Sequence, residues 1–177
     1  LICILVFSLA PAWATQNVVI ADFSFGVDKN GVPFGWQLKK KSGKPDFSII
    51  KDGDTHALHL RSVDTSFAFQ KPVNVSTLQY PVLSWKWKVI KLPWGGDFRK
   101  SKTDDQAAQL FVAFSNQKVI GYIWDTNAPK GLIGDAWAPP LMTVKAIVVR
   151  SGHKETGKWI IETRNAYEDY KKLFGHE

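Results

Sequence analysis

The sequence predicts an all-β fold, an antiparallel β-sandwich of jelly-roll type with one short C-terminal helix. Three observations lead there. The stretch Leu83–Val89, Leu-Ser-Trp-Lys-Trp-Lys-Val, alternates strictly. Leu83, Trp85, Trp87 and Val89 share one face and Ser84, Lys86 and Lys88 the other, the period of a strand with one dry and one wet side. Short apolar segments recur between Gly- and Pro-rich turns along the chain, the pattern of packed antiparallel sheets. Helical periodicity is confined to the tail, where Tyr167, Tyr170 and Phe174 form one stripe.

The elements follow in order. Val18–Phe23 is expected as a strand, Gly31-Val32-Pro33 as a turn, and Phe34–Lys39 as a second short strand. Asp46–Lys51 and Ala57–Ser62 are split by Asp52-Gly53-Asp54, a hairpin signal. Ser66–Val73 follows, and Pro81 opens the Trp-rich strand, a place where proline is tolerated. Lys91–Gln106 is a long polar connection, and loops of that length are often functional. Ala107–Ser115 and Val119–Asp125 pair across Asn116-Gln117-Lys118. A second long loop runs from Thr126 to about Thr143. Val144–Arg150 and Lys158–Arg164 are expected as antiparallel neighbours across the Ser151–Gly157 turn. Asn165 then caps a helix that Gly175 ends, with Glu168 in capping-box position.

The N-terminus reads as an export signal. Leu1–Leu9 is apolar and Ala12-Trp13-Ala14 has the small-x-small cleavage pattern. The run is shorter than the roughly 20 residues a membrane span needs. Residues 1–14 are therefore expected as a signal peptide and 15–177 as a single domain, periplasmic or secreted. Cleavage would remove Cys3, the one cysteine, and fits an oxidising compartment. The formal charge of +7 implies acidic partners. Outside the cytoplasm these are anionic polysaccharides or cell-envelope components rather than nucleic acid. The oligomeric state is left open.

Candidate chemistry falls into three groups. Asp104-Asp105, with Asp97 upstream, lies where the long loop enters a strand. The expected role is general acid or base at Asp105, or part of a calcium site, weighed against loop capping and ion pairing. Arg150, Glu162 and Arg164 sit near the ends of two strands, with Lys86, Lys88 and Gln109 expected on the same polar face. Two arginines around one carboxylate leave positive charge to hold an anionic ligand; a solvated salt-bridge ladder is the alternative. Trp94 and Trp137, in the two long loops, offer flat faces for sugar rings. Tyr122 and His153 are a possible proton-transfer pair for a polysaccharide lyase. No metal site is expected from the histidine spacing, and no nucleophile-elbow or phosphate-loop motif is present.

Gly35-Trp36, Pro81…Trp85-Lys86-Trp87, Thr103-Asp104-Asp105, Tyr122-x-Trp124, Arg150-Ser151-Gly152, Trp159-x-x-Glu162-x-Arg164 and Asp169-Tyr170 before Phe174-Gly175 occur in that order. The set resembles a bacterial family of exported proteins known only as a domain of unknown function. The resemblance covers roughly residues 18–175 and implies a jelly-roll-like sandwich similar to modules that bind or cleave polysaccharides, an analogy of fold rather than of site. It also implies an acidic, Asp/Asn-rich loop and a closing strand after the helix, so the sequence ending at Glu177 is expected either to be truncated or to lack an element the family uses. The first functional expectation is a binding module for an anionic saccharide or envelope polymer. The runner-up is a lyase or glycosidase using Asp105, Tyr122, His153 or Glu162, and the third a structural envelope protein.

Overall fold

The computed structural model describes residues 17–136 and 139–175. The expected signal peptide, Cys3 and Trp137 lie outside them. The described residues divide into two compact units, with the boundary between Asn74 and Val75.

In the first unit, residues 17–22 carry no regular structure, so the strand expected at Val18–Phe23 does not form. Phe23–Phe25 is instead a turn of 3-10 helix, and the Asp22 carboxylate accepts the Ser24 N–H at 2.9 Å. A short acidic side chain bonding its own backbone competes with a strand ladder. The next strand starts later than expected, because Phe34 and Gly35 turn first and the Trp36 N–H is spent on the Pro33 carbonyl at 3.0 Å. Four strands follow: β1 (Gln37–Ser42), β2 (Asp46–Asp52), β3 (Thr55–Arg61) and β4 (Ser66–Gln70). β1 pairs with β4 and β2 with β3, both antiparallel. Gly53 takes a φ of 61° in the two-residue loop between Asp52 and Thr55, the conformation a tight hairpin asks of its first loop residue. Phe47 of β2 meets Phe67 and Phe69 of β4, its ring centroid 4.9 Å from that of Phe69.

The second unit holds β5 (Val82–Trp87), β6 (Ala108–Ala113), β7 (Lys118–Asp125), β8 (Ile133–Asp135), β9 (Thr143–Ser151), β10 (Ile160–Asn165) and the helix α1 (Ala166–Phe174). One sheet runs β6-β7-β9-β8, and a second consists of β5 and β10. Both pack around Trp87, Ile120, Tyr122, Trp124, Ile147, Val149 and Tyr170. The all-β class therefore holds, with one short C-terminal α-helix among the described residues. One pair, β7 with β9, is parallel. The parallel run follows because the chain between β7 and β9 crosses the sheet through β8, a strand inside the second long loop that short length and Gly134 hide from a periodicity reading.

A second correction concerns β9 and β10. They are not hydrogen-bonded neighbours: β9 is flanked by β7 and β8, and β10 pairs with β5. With both edges of β9 occupied, the Ser151–Gly157 turn carries the chain from one sheet to the other. The Gly157 N–H anchors that crossing on the Val89 carbonyl at 2.8 Å. The helix begins as expected, with the Asn165 side chain accepting the Glu168 N–H at 3.0 Å. At its end Gly175 has a φ of 81° and bonds the Lys171 carbonyl.

Candidate functional site

Pairing β5 with β10 decides which charges face inward. Glu162 stands opposite Trp85 and Arg164 opposite Leu83, and directly paired residues share a face. Glu162 and Arg164 thus lie on the tryptophan side, whereas Lys86 stands opposite Ile161 on the outer side. The single polar face expected from the sequence is two faces.

Inside, the charges are matched. The Arg150 Nε donates to Glu162 Oε1 at 2.6 Å, and its Nη1 donates to the Glu155 carboxylate. Arg150 reaches this side through a one-residue register shift between β7 and β9 after Ile123, which sets it beside Trp124. Plain alternation from Ile147 and Val149 would have turned it to the opposite face; a bulge re-aims a side chain in this way. Arg164 grips the Asp169 carboxylate with Nε, at 2.9 Å to Oδ2, and with Nη2 to Oδ1. The Tyr122 hydroxyl donates to the same Oδ2 at 2.9 Å. The Tyr122 ring is stacked on Trp85 with centroids 5.1 Å apart. Burial, then the nearby Asp169 charge, holds the Tyr122 phenol well above its ordinary range. Two arginines therefore face three carboxylates, Glu155, Glu162 and Asp169, so the positive excess expected around one carboxylate is absent from this network. Asp169 and Glu155 were not singled out as site residues; the helix cap at Asn165, which fixes where Asp169 falls, was the signal for the first.

The predicted proton-transfer pair is not formed. Tyr122 is fully buried and bonded to Asp169, while His153 is exposed in the crossing turn.

On the outer side of β5 and β10, Trp159 gathers both lysines. The Lys86 Nζ lies 5.7 Å and the Lys88 Nζ 5.6 Å from its ring centre. Ammonium groups at such distances from an indole are attracted to the face of the ring. Trp159, which the sequence offered only as part of the Trp159-x-x-Glu162-x-Arg164 motif, is thus the organiser of the basic pair.

The long connection after β5 is held by buried carboxylates. Asp97, 1% exposed, takes Arg99 in a two-pronged ion pair at 2.7 Å on each oxygen. The Arg99 hydrogen bond depresses the Asp97 pKa to about 2. Asp125 is fully buried and accepts the N–H groups of Phe98, Asn127 and Ala128. Asp104 and Asp105 are both exposed and do not join Asp97. Partial desolvation of its carboxyl, and then the neighbouring Asp104 charge, raise the Asp105 pKa even though the residue is exposed as a whole. Asp104 Oδ1 accepts from Gln106, whose own carbonyl accepts from Gln109, at 2.7 and 2.5 Å. Among the described residues no three His, Cys, Asp or Glu side chains cluster as a metal site would require, and no helix is long and apolar enough to cross a membrane.

Fold and interior together define a mostly β protein with two arginine–carboxylate groups, Arg150 with Glu155 and Glu162, and Arg164 with Asp169. The chain belongs to the family described as Protein of unknown function (DUF3047), which it matches over residues 35–177. A search of curated proteins and a search of solved structures each found no match.

Proposed function

We propose that this is an exported, periplasmic or secreted binding module for an anionic saccharide or cell-envelope polymer, held on the outer face of β5 and β10. The observation that carries the reading is the pair of ammonium groups, Lys86 and Lys88, gathered on one indole. Two cations fixed by a shared ring suit a carboxylate, sulfate or phosphate repeated along a chain, and the overall charge of +7 favours approach of such a polymer. Arg150 and Arg164 hold the scaffold under that face, since their charges are met by Glu155, Glu162 and Asp169.

The test is retention on immobilised polygalacturonate and on a neutral glucan at two ionic strengths. The native chain is expected to be held by the anionic matrix at low salt and released at high salt, because exposed charge contacts are screened. Lys86→Ala with Lys88→Ala should weaken retention by on the order of tenfold, the loss of one or two charge-assisted contacts. Equal retention of native and doubly substituted chains rejects the reading.

A further inference from the structure

Trp94 is 99% exposed, yet the turn that carries it is tied down on both sides. The Gly96 N–H returns to the Pro93 carbonyl at 3.4 Å, and Gly95 has a φ of 70°. Positive φ at the third residue is what a type II turn requires. The Thr126 hydroxyl donates to the Pro93 carbonyl at 2.9 Å. The Gly96 carbonyl accepts both the backbone N–H of Asn127, at 3.1 Å, and its side-chain Nδ2, at 3.0 Å. A large indole is thus presented to solvent on a braced support.

The segment beside this turn is polar. A Cβ on Gly96 would come within 2.5 Å of the Asp105 carbonyl oxygen, so glycine is what lets the two strands of loop touch. Asp105 is the chain neighbour of Asp104 and Gln106, which with Gln109 form an exposed hydrogen-bonded ladder. We infer that the Trp94 turn and the adjacent Asp104–Gln106–Gln109 ladder form a second carbohydrate subsite, one that takes a neutral sugar ring. The indole supplies a flat surface for the C–H face of a pyranose. The carboxylate and the two amides supply planar acceptors and donors for ring hydroxyls. The ladder of one carboxylate and two amides holds no cation to pair with a uronate, which separates this subsite from the basic face. The inference stands whether or not the basic face binds anions.

The probe is a set of soluble neutral polysaccharides, a β-glucan, a mannan and a galactan, in affinity electrophoresis of the native chain, Trp94→Ala, Trp94→Phe and Gln106→Ala. Vesicles containing anionic lipid form a separate arm. At least one neutral polymer is expected to retard the native chain in a salt-insensitive way. Trp94→Ala should weaken that retardation about tenfold or more, Trp94→Phe less, and Gln106→Ala by a few fold. The melting temperature of Trp94→Ala should equal that of the native chain, since the ring is exposed. Lys86→Ala with Lys88→Ala should leave neutral-polymer binding unchanged. No retardation by any of the three polymers overturns the inference, as does equal retardation of Trp94→Ala. Loss on substitution that appears only with vesicles assigns the turn to a lipid surface and also overturns it.

Discussion

Trp87 shows how much one alternating residue decides. It is 9% exposed, lies edge-on to Trp85 and meets Trp124 at 6.0 Å. Trp87→Ala is expected to cost roughly 3–5 kcal/mol, the usual range for emptying a large aromatic site. Its indole N–H finds no acceptor among the described residues, so Trp87→Phe discards an unsatisfied donor along with some area and should cost clearly less than alanine. Lys86→Ala, on the exposed side of the same strand, should change stability by about 0.5 kcal/mol or less. Urea titrations of the three variants check the ordering, and equal losses would contradict the one-sided strand. This alternation was fully legible in the sequence, because the period of two depends only on the backbone. The partners of Arg150 were not: a single register shift between β7 and β9 turns that side chain to the other face, and no local pattern announces it.

At the scale of the element, the long connection between β5 and β6 is held by the buried carboxylates Asp97 and Asp125 together with Leu92 and Phe98, which pack into the apolar clusters. Its length and polarity marked it as unusual, but the sequence drew attention to Asp104 and Asp105, which are exposed. Burial was what distinguished the structural acid from the exposed ones, and burial of a loop residue depends on distant chain. Asp97 gives the loop a pH dependence whose sign is set by its depressed pKa of about 2, against 3.8 ordinarily. A carboxylate with a lowered folded pKa contributes stability that is complete above the ordinary value and is lost as pH falls through the folded one. Protection of the loop against an acid-active protease such as pepsin should therefore decline between about pH 4 and pH 2. Asp97→Asn should make the loop cleavable already at pH 5 and remove most of its pH dependence. A native loop equally resistant from pH 5 to pH 2 would contradict this role.

At the scale of the molecule, nearly all of the buried apolar core among the described residues lies after Asn74. Among the described residues, that core takes Val32 from the first unit, whereas Trp87, Ile120, Tyr122, Trp124, Val148 and Tyr170 belong to the second. A chain of residues 75–177 therefore carries its own hydrophobic cluster and ion-pair network. It is expected to unfold in one cooperative step, as small domains with a single core do. Coincident circular dichroism and tryptophan fluorescence transitions in urea would bear this out; a broad, non-cooperative change would show that the core needs more of the chain. The family match begins at residue 35 and so includes residues on both sides of that boundary.

The sequence by itself determined what depends on neighbours in the chain: the β class, the Trp85–Lys86–Trp87 alternation, the Asp52–Thr55 hairpin, the Asn165 cap and the Gly175 stop. Backbone periodicity and turn chemistry act over two to four residues, so short stretches encode them. Only the tertiary structure decided that β10 pairs with β5, that Glu162 and Arg164 face the tryptophans, that Trp159 gathers Lys86 and Lys88, and that Trp94 stands on a braced turn beside Asp105. Those outcomes depend on strand pairing and register between segments far apart in the chain, where one residue of slip exchanges the inner face for the outer.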